Sequence, residues 1–319
     1  MSLQHLNPNA NVVVAGASGG IGAEFVRQLS ANQRIGRVFA LYRQPPAAAE
    51  ARVEPLAYDL TDEDSIRAAA DSVAAHGPVD AVIVATGLLH DGSIQPEKSL
   101  ASIEANAMLD VFRVNTVGPI LLAKHFLPLL RRESTTLFAA LSARVGSISD
   151  NRLGGWASYR ASKAALNMLL RTAAIEHKRR WPHSVIVGLH PGTVDTSLSA
   201  PFQRRVPEGK LFTPAFAVER MLDVLDNLDA RDSGRVFAWD GAPDAPCMSG
   251  RGLRCAGVVS GRAVLHNFRH TMPPQGVTGP ACIRDHHDAI LMSRVRCATL
   301  VADARRSGDP RCGGCAVRC

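Results

Sequence analysis

Seven short apolar runs, most of them separated by helix-forming stretches, occupy residues 10 to 241 and leave few folds open. They read NVVVAG, RVFALYR, VEPLAYDL, VDAVIVATG, TTLFAALS, SVIVGLHPG and GRVFAWDG. None alternates strictly between apolar and polar residues, so each is expected to be buried on both faces. Between them lie IGAEFVRQLSANQ, TDEDSIRAAADSVAAHG with an acidic first turn suited to the helix dipole, a long helical region around residues 101 to 130, ASYRASKAALNMLL and AFAVERMLDVLDNL. Strands and helices alternating in this way predict a parallel sheet covered on both sides by helices.

Handedness and crossover rules narrow the prediction to a doubly wound, Rossmann-type α/β domain over residues 1 to 241, without internal repeats. The turn after the first strand supports it. GASGGIG contains Gly16, Ser18, Gly20, Ile21 and Gly22, opens a helix and lies in the first strand–helix–strand unit. Glycines there let backbone N–H groups approach a pyrophosphate at the positive end of the helix, so a dinucleotide cofactor is expected. The second strand ends in LYRQ, Leu41 to Gln44, with no carboxylate to bind a ribose 2′-hydroxyl. Arg43 suits a 2′-phosphate, which favours NADP with NAD as the alternative.

Further along, GGWASYRASKAALNMLL places Tyr159 and Lys163 four residues apart on a helix, hence on one face. A neighbouring cation should favour the phenolate and lower the tyrosine pKa toward working pH. The plainer alternative is a solvated surface pair.

The spacing Gly-x3-Gly-x-Gly combined with Tyr-x3-Lys resembles the short-chain dehydrogenase/reductase family. The likeness is nearest to its C-factor-like (cell–cell signalling protein) branch through LSARVGSISDNRLGGWASYRASKAALNML, LHPGTVDTSLSAPF and FAWDG, and covers nearly all of residues 10 to 241. The resemblance implies that Tyr159 is the general acid or base and that Lys163 bonds the nicotinamide ribose while tuning it. It also implies that Asn115, in FRVNTVGP, holds a water in a proton relay; an amide that caps or kinks its helix near Pro119 is the alternative. Asp59 with Leu60 matches the adenine contact, Gly87 ends the stretch after the fourth strand, and Pro191, Gly192 and Thr196 lie near the nicotinamide carboxamide.

Several positions depart from the family. The serine that holds the substrate carbonyl normally stands three residues before a glycine; counting back from Gly146 gives Ala143, with Ser142 one residue earlier. The role is carried onto Ser142, and Ser147, twelve before the tyrosine, is the second candidate. Ala15 replaces a threonine, Gly19 stands where a second basic residue is often found, and Val84 to Gly87 replace Asn-Asn-Ala-Gly, a change read as a stability adjustment. Residues 197 to 213 are expected to form a mobile flap, in which Arg204 and Arg205 attract an anionic substrate or simply face solvent. Trp156 either lines the pocket or packs.

Composition matters chiefly at the C-terminus. Of the formal charge of +7, residues 242 to 319 contribute +6, from eleven Arg and five Asp without Lys or Glu. The remainder is balanced, so the charge gives no reason to expect nucleic acid as a partner. All seven cysteines lie beyond residue 246. CGGC at 312 to 315 with Cys297 and Cys319 could be written as a thiolate zinc site, but the spacing matches no familiar pattern and no metal is expected. Abundant Arg and Cys without Lys or Glu is what GC-rich DNA gives out of frame, so the tail reads as a frameshifted, mostly disordered extension. The polar start and the lack of a ~20-residue apolar run predict a cytoplasmic protein without a membrane partner. The expected activity is hydride transfer between NADP(H) and a small carbonyl or alcohol, with homo-oligomers possible by analogy. The alternative is a dinucleotide-binding signalling or regulatory protein with little turnover.

Overall fold

Each of the seven apolar runs becomes a strand of one parallel sheet. The computed structural model describes residues 3–48 and 50–243, and within them the strands are β1 (Ala10–Ala15), β2 (Ile35–Tyr42), β3 (Val53–Ala57), β4 (Ala81–Val84), β5 (Thr136–Leu141), β6 (Ser184–His190) and β9 (Val236–Ala238). The spatial order is β3-β2-β1-β4-β5-β6-β9, so the winding reverses between β1 and β4. The crevice at the carboxyl ends of those two strands is where open α/β sheets bind ligands.

The unbroken apolar runs follow from the two layers of helices. Val12 and Val14 of β1 face the layer formed by α1 (Gly20–Ala31) and α6 (Pro214–Asp226), where Phe25, Leu29, Met221 and Leu225 are buried. Val13 and Ala15 face the layer of α2 (Glu63–Ala74), α4 (Gly118–Phe126) and α5 (Ala157–His177), with Ile66, Phe126 and Leu166. Successive strand residues point to opposite faces, so both sets must be apolar. Local chemistry sets the helix starts: the Asp62 side chain accepts from the Asp64 amide at 3.0 Å, and Thr213 caps α6 before Pro214.

The long helical region expected around residues 101 to 130 is present and carries a change of helix type within it. It contains α3 (Ala105–Phe112), a π-helical turn over Arg113–Val117, and then α4. Pro119 has no N–H to offer the Asn115 carbonyl four residues back, so an α-helical ladder cannot run through this point. Gly118 beside it gives room to the Leu60 side chain, since a Cβ there would lie 2.4 Å from Leu60 Cγ and displace it.

A small second sheet pairs β7 (Thr193–Val194) with β8 (Leu211–Phe212) in parallel, tying together the two ends of the expected flap. Among the described residues no helix is long and apolar enough to cross a membrane, and no group of three metal-ligating side chains converges. The tail from residue 244, with its cysteines and its expected disorder, lies outside the described residues.

Candidate active site

The glycine turn is shaped by close approach. Gly16 has φ +83°, and a Cβ on it would lie 2.9 Å from Thr86 Cγ2 and 3.0 Å from the Ala85 carbonyl. A Cβ on Gly22 would meet the Gly16 carbonyl oxygen at 2.1 Å, so the first turn of α1 can pack against the loop only with glycine there. The Ala17 amide donates to the Leu41 carbonyl at 3.1 Å, fixing the turn to β2. Ser18 and Gly20 are exposed at the head of α1, Ile21 packs on the core, no side chain caps the helix, and its first turn carries no acid. Those free amides at a positive helix end suit a pyrophosphate. Thr86 Oγ1 is buried without a hydrogen-bond partner among the described residues, a polar atom left for a ligand beside Gly16. The residues present therefore fit a dinucleotide.

At the adenosine end, Arg43 is exposed just past β2. The Asp59 carboxylate accepts from the Thr61 amide and hydroxyl at 2.8 and 2.7 Å, and these bonds hold it below the usual carboxylate range. Leu60 packs on Gly118. The buried Tyr58 phenol is pushed well up by burial, while the Gly16 backbone and the Arg43 charge beside it act in the opposite sense. Across the crevice, Pro191 and Gly192 follow β6; Gly192 has φ +78°, and a Cβ there would meet Phe212 at 2.6 Å. The Thr196 methyl reaches the glycine turn, 3.0 Å from where a Gly20 Cβ would be.

Tyr159 and Lys163 lie near the start of α5, beneath the loop that follows β4. Lys163 is 2% exposed; its Nζ donates to the Leu141 carbonyl at 2.9 Å and lies 5.8 Å from the centre of the Tyr159 ring. Burial pushes the lysine down to about 8 and the half-buried tyrosine up to about 12. This corrects the expectation that Lys163 lowers the tyrosine: in the protein without its ligands, desolvation outweighs the cation. A Cβ on Gly87 would lie 3.7 Å from Leu198 Cδ1, 3.8 Å from Asn115 Oδ1 and 3.9 Å from Lys163 Nζ, so this exposed glycine stands beside all three side chains. Asn115 is fully buried in the π turn. Its Oδ1 accepts from the Leu88 amide at 2.7 Å, and its Nδ2 donates to the Leu88 carbonyl at 2.8 Å and to Ser162 Oγ at 3.1 Å. Ser162 in turn donates to the Tyr159 carbonyl at 2.8 Å, so the amide locks the β4 loop to the tyrosine's own turn.

The two candidate serines face different ways. Ser142 is buried, and its hydroxyl donates to Asn167 Oδ1 on α5 at 2.6 Å. The proton it would offer a substrate carbonyl is thus engaged. Ser147 is half-buried, with its hydroxyl 3.4 Å from that of Ser149.

A family model for short chain dehydrogenase matches residues 10–206. The chain belongs to the short-chain dehydrogenase family. It is 30% identical over 246 residues to an uncharacterized oxidoreductase of Schizosaccharomyces pombe, covering 72% of this chain and 94% of that protein. With 1-hydroxy-2-glutathionyl-2-methyl-3-butene dehydrogenase of Rhodococcus sp. it shares 31% identity, over 73% of this chain and 97% of that enzyme. The C-signal of Myxococcus xanthus is 34% identical over 165 residues, covering 52% of this chain and 91% of that protein. Among solved structures, an NADPH-bound carbonyl reductase from chicken fatty liver superposes with a TM-score of 0.66 at 28% identity, covering 75% of this chain and 96% of that one. The protein is an oxidoreductase of the short-chain dehydrogenase type.

Within this dehydrogenase the segment 197–213 is built around a 3-10 turn, Ala200–Arg205. Phe202 stacks edge-on against Trp156 at 4.9 Å and lies 5.7 Å from His90, while Trp156 stands edge-on to Tyr159 at 6.3 Å. Trp156 therefore connects the flap to the tyrosine, and Arg204 is exposed. Sequence reading missed Thr86, Tyr58 and Phe202. Only the first two carried a usable signal, since both adjoin motif positions, Gly87 and Asp59.

Proposed function

We propose that this dehydrogenase uses NADP(H) to reduce a small carbonyl compound, or to oxidise the matching alcohol, with Tyr159 as the acid–base group. The observation that carries the reading is the Tyr159 ring beside buried Lys163, on a helical turn whose backbone the Asn115–Ser162 pair fixes. The nicotinamide cofactor, when bound, supplies the hydride. At about 12 the Tyr159 phenol keeps its proton at neutral pH and can give it to a carbonyl oxygen that gains negative charge. Lys163 has three donors and uses one on Leu141, leaving others for ribose hydroxyls. Gly16, Ser18, Gly20, Ile21 and Gly22 would hold the pyrophosphate, Asp59 and Leu60 the adenine, and Gly87, Pro191, Gly192 and Thr196 the nicotinamide half.

Arg43 and the missing carboxylate after β2 support NADP over NAD, as does the NADPH in the chicken carbonyl reductase. A guanidinium bond to a phosphate is worth about 1.5–3 kcal/mol, so Arg43→Ala should raise the KM for NADPH by about tenfold or more while leaving that for NADH unchanged. An equal loss with both cofactors would remove Arg43 from the 2′-phosphate. Ser142→Ala should lower stability by about 1 kcal/mol through the lost bond to Asn167, with little change in turnover. Ser147→Ala should do the reverse. Thermal unfolding and steady-state rates on both variants separate these outcomes.

The test of the reading itself is NADPH oxidation by the full-length chain over aldehydes, ketones and diketones. Substrate-dependent oxidation is expected, faster with NADPH than with NADH. Tight NADPH binding without turnover on any of them would refute it. The signalling alternative is not the reading favoured by a family whose matched relatives include dehydrogenases and reductases.

A further inference from the structure

The helix that carries Tyr159 and Lys163 starts without a cap of its own. Trp156 holds the N-cap position with φ 53° and ψ 41°, a left-handed conformation that bulky side chains rarely adopt, and an indole has no oxygen to accept an amide proton. Glu97, from the loop after β4 and 61 residues away, performs that task. Its carboxylate accepts from the Ser158 amide at 3.2 and 3.3 Å and from the Ser158 hydroxyl, and its backbone carbonyl accepts from the Trp156 amide at 2.6 Å.

Both partners are buried, Glu97 at 8% and Ser158 at 3% exposure. The carboxylate sits at the positive end of a 21-residue helix, where negative charge is stabilised. The loop is itself braced, because the Asp91 carboxylate accepts from the amides of Ser93 and Ile94 at 2.7 Å each. On the far side of the tyrosine, the Arg160 guanidinium donates to the Gly155 carbonyl at 2.9 Å. Glu97, Ser158 and Tyr159 share the wall of one cavity of about 320 Å³.

We infer that Glu97 is a positioning residue for the proton donor: it fixes the first turn of α5 from outside the helix and so sets the direction of the Tyr159 hydroxyl. The inference rests on the proposed role of Tyr159. Ser158 is the covalent neighbour of Tyr159, so a shift of this turn moves the hydroxyl relative to a carbonyl held elsewhere in the crevice. Misplacement of about 1 Å can cost ~10²-fold in rate.

The test measures kcat, the KM values for carbonyl and NADPH, and thermal unfolding on full-length Glu97→Ala, Glu97→Gln, Ser158→Ala and the Glu97→Ala/Ser158→Ala double variant. Glu97→Ala should lower kcat by about tenfold to ~10²-fold with the KM for NADPH unchanged. Glu97→Gln, whose amide oxygen still accepts from Ser158, should recover most of that loss. The double variant should lose no more than the worse single one, since the two act as a unit. Native kcat in folded Glu97→Ala, no recovery with glutamine, or fully additive losses would each overturn the inference. If Glu97→Ala does not fold, Ser158→Ala decides: a lowered kcat at constant KM for NADPH upholds the inference, and an unchanged kcat overturns it. Turnover that depends on Tyr159 but not on Glu97 or Ser158 would refute this inference alone. Turnover that survives loss of the Tyr159 hydroxyl would refute the proposed function instead.

Discussion

Tyr159→Phe should lower kcat for carbonyl reduction by about 10²–10⁴-fold, the usual contribution of a placed general acid, while NADPH binds as before. The substitution removes one oxygen and keeps the ring, so the edge contact with Trp156 and the Lys163 ammonium 5.8 Å from the ring centre both persist. The hydroxyl makes no hydrogen bond among the described residues, so its loss leaves no buried partner unsatisfied and should not reduce stability. That separates chemistry from folding. The pH dependence follows from a phenol held at about 12. It is protonated across the neutral range, so reduction should be flat there, whereas alcohol oxidation needs the phenolate and should accelerate as pH rises. A bound cofactor adds charge near the ring and will move the midpoint, but not the sign. Rates from stopped-flow NADPH oxidation, with cofactor affinity by fluorescence titration, check both parts. If the phenylalanine variant turned over at the native rate, proton transfer would have to be assigned to another group.

The central strands were legible in the sequence because they are buried on both faces, so that Val12, Val13 and Val14 all had to be apolar, whereas the edge strand Val53–Ala57 has no fully buried residue. The Gly16–Gly22 turn and Tyr159 with Lys163 were legible because their spacing is local. What depends on distant partners was not. Glu97 in IQPEKSL looks like an ordinary loop charge until α5 is placed against it. Ser142 turns toward Asn167 because the residues beyond β5 continue the alternation of the strand, and counting residues back from Gly146 does not report which face each side chain takes. The π turn at Arg113–Val117 lies next to Pro119, which the sequence displayed, but the two bonds that join Asn115 to Leu88 reach a distant loop and were not legible. The direction of the Tyr159 shift was not legible for a related reason: four-residue spacing shows adjacency, whereas burial raises the phenol.

Lys163→Met should make the cofactor-free protein more stable at neutral pH while it stops turnover. Lys163 is an ammonium at 2% exposure with one hydrogen bond, to the Leu141 carbonyl, and burial brings it from 10.5 down to about 8. A folded-state pKa below the unfolded one means that the unfolded chain binds more protons between those values, so stability rises with pH across that window. Below pH 8 the cost is present in full, about 3 kcal/mol at 1.36 kcal/mol per pKa unit. Methionine fills similar space without charge and removes that cost, offset by about 1 kcal/mol for the lost bond to Leu141, which leaves a net gain of about 2 kcal/mol. The gain should shrink as pH rises through 8 toward 10.5, above which the native lysine is neutral in both states. Tyr159 acts in the opposite direction at higher pH: its raised pKa contributes stability that is present below 10 and lost as pH rises through 12, equally in both proteins. Urea unfolding at intervals from pH 6.5 to 10 therefore isolates the lysine as the difference between the two proteins. A native chain more stable than the variant at pH 7, or a difference independent of pH, would mean that the ammonium is not desolvated as the structure places it. In the proposed function a buried cation of this cost is retained for the cofactor's ribose hydroxyls, which the lysine donors not used on Leu141 would bind.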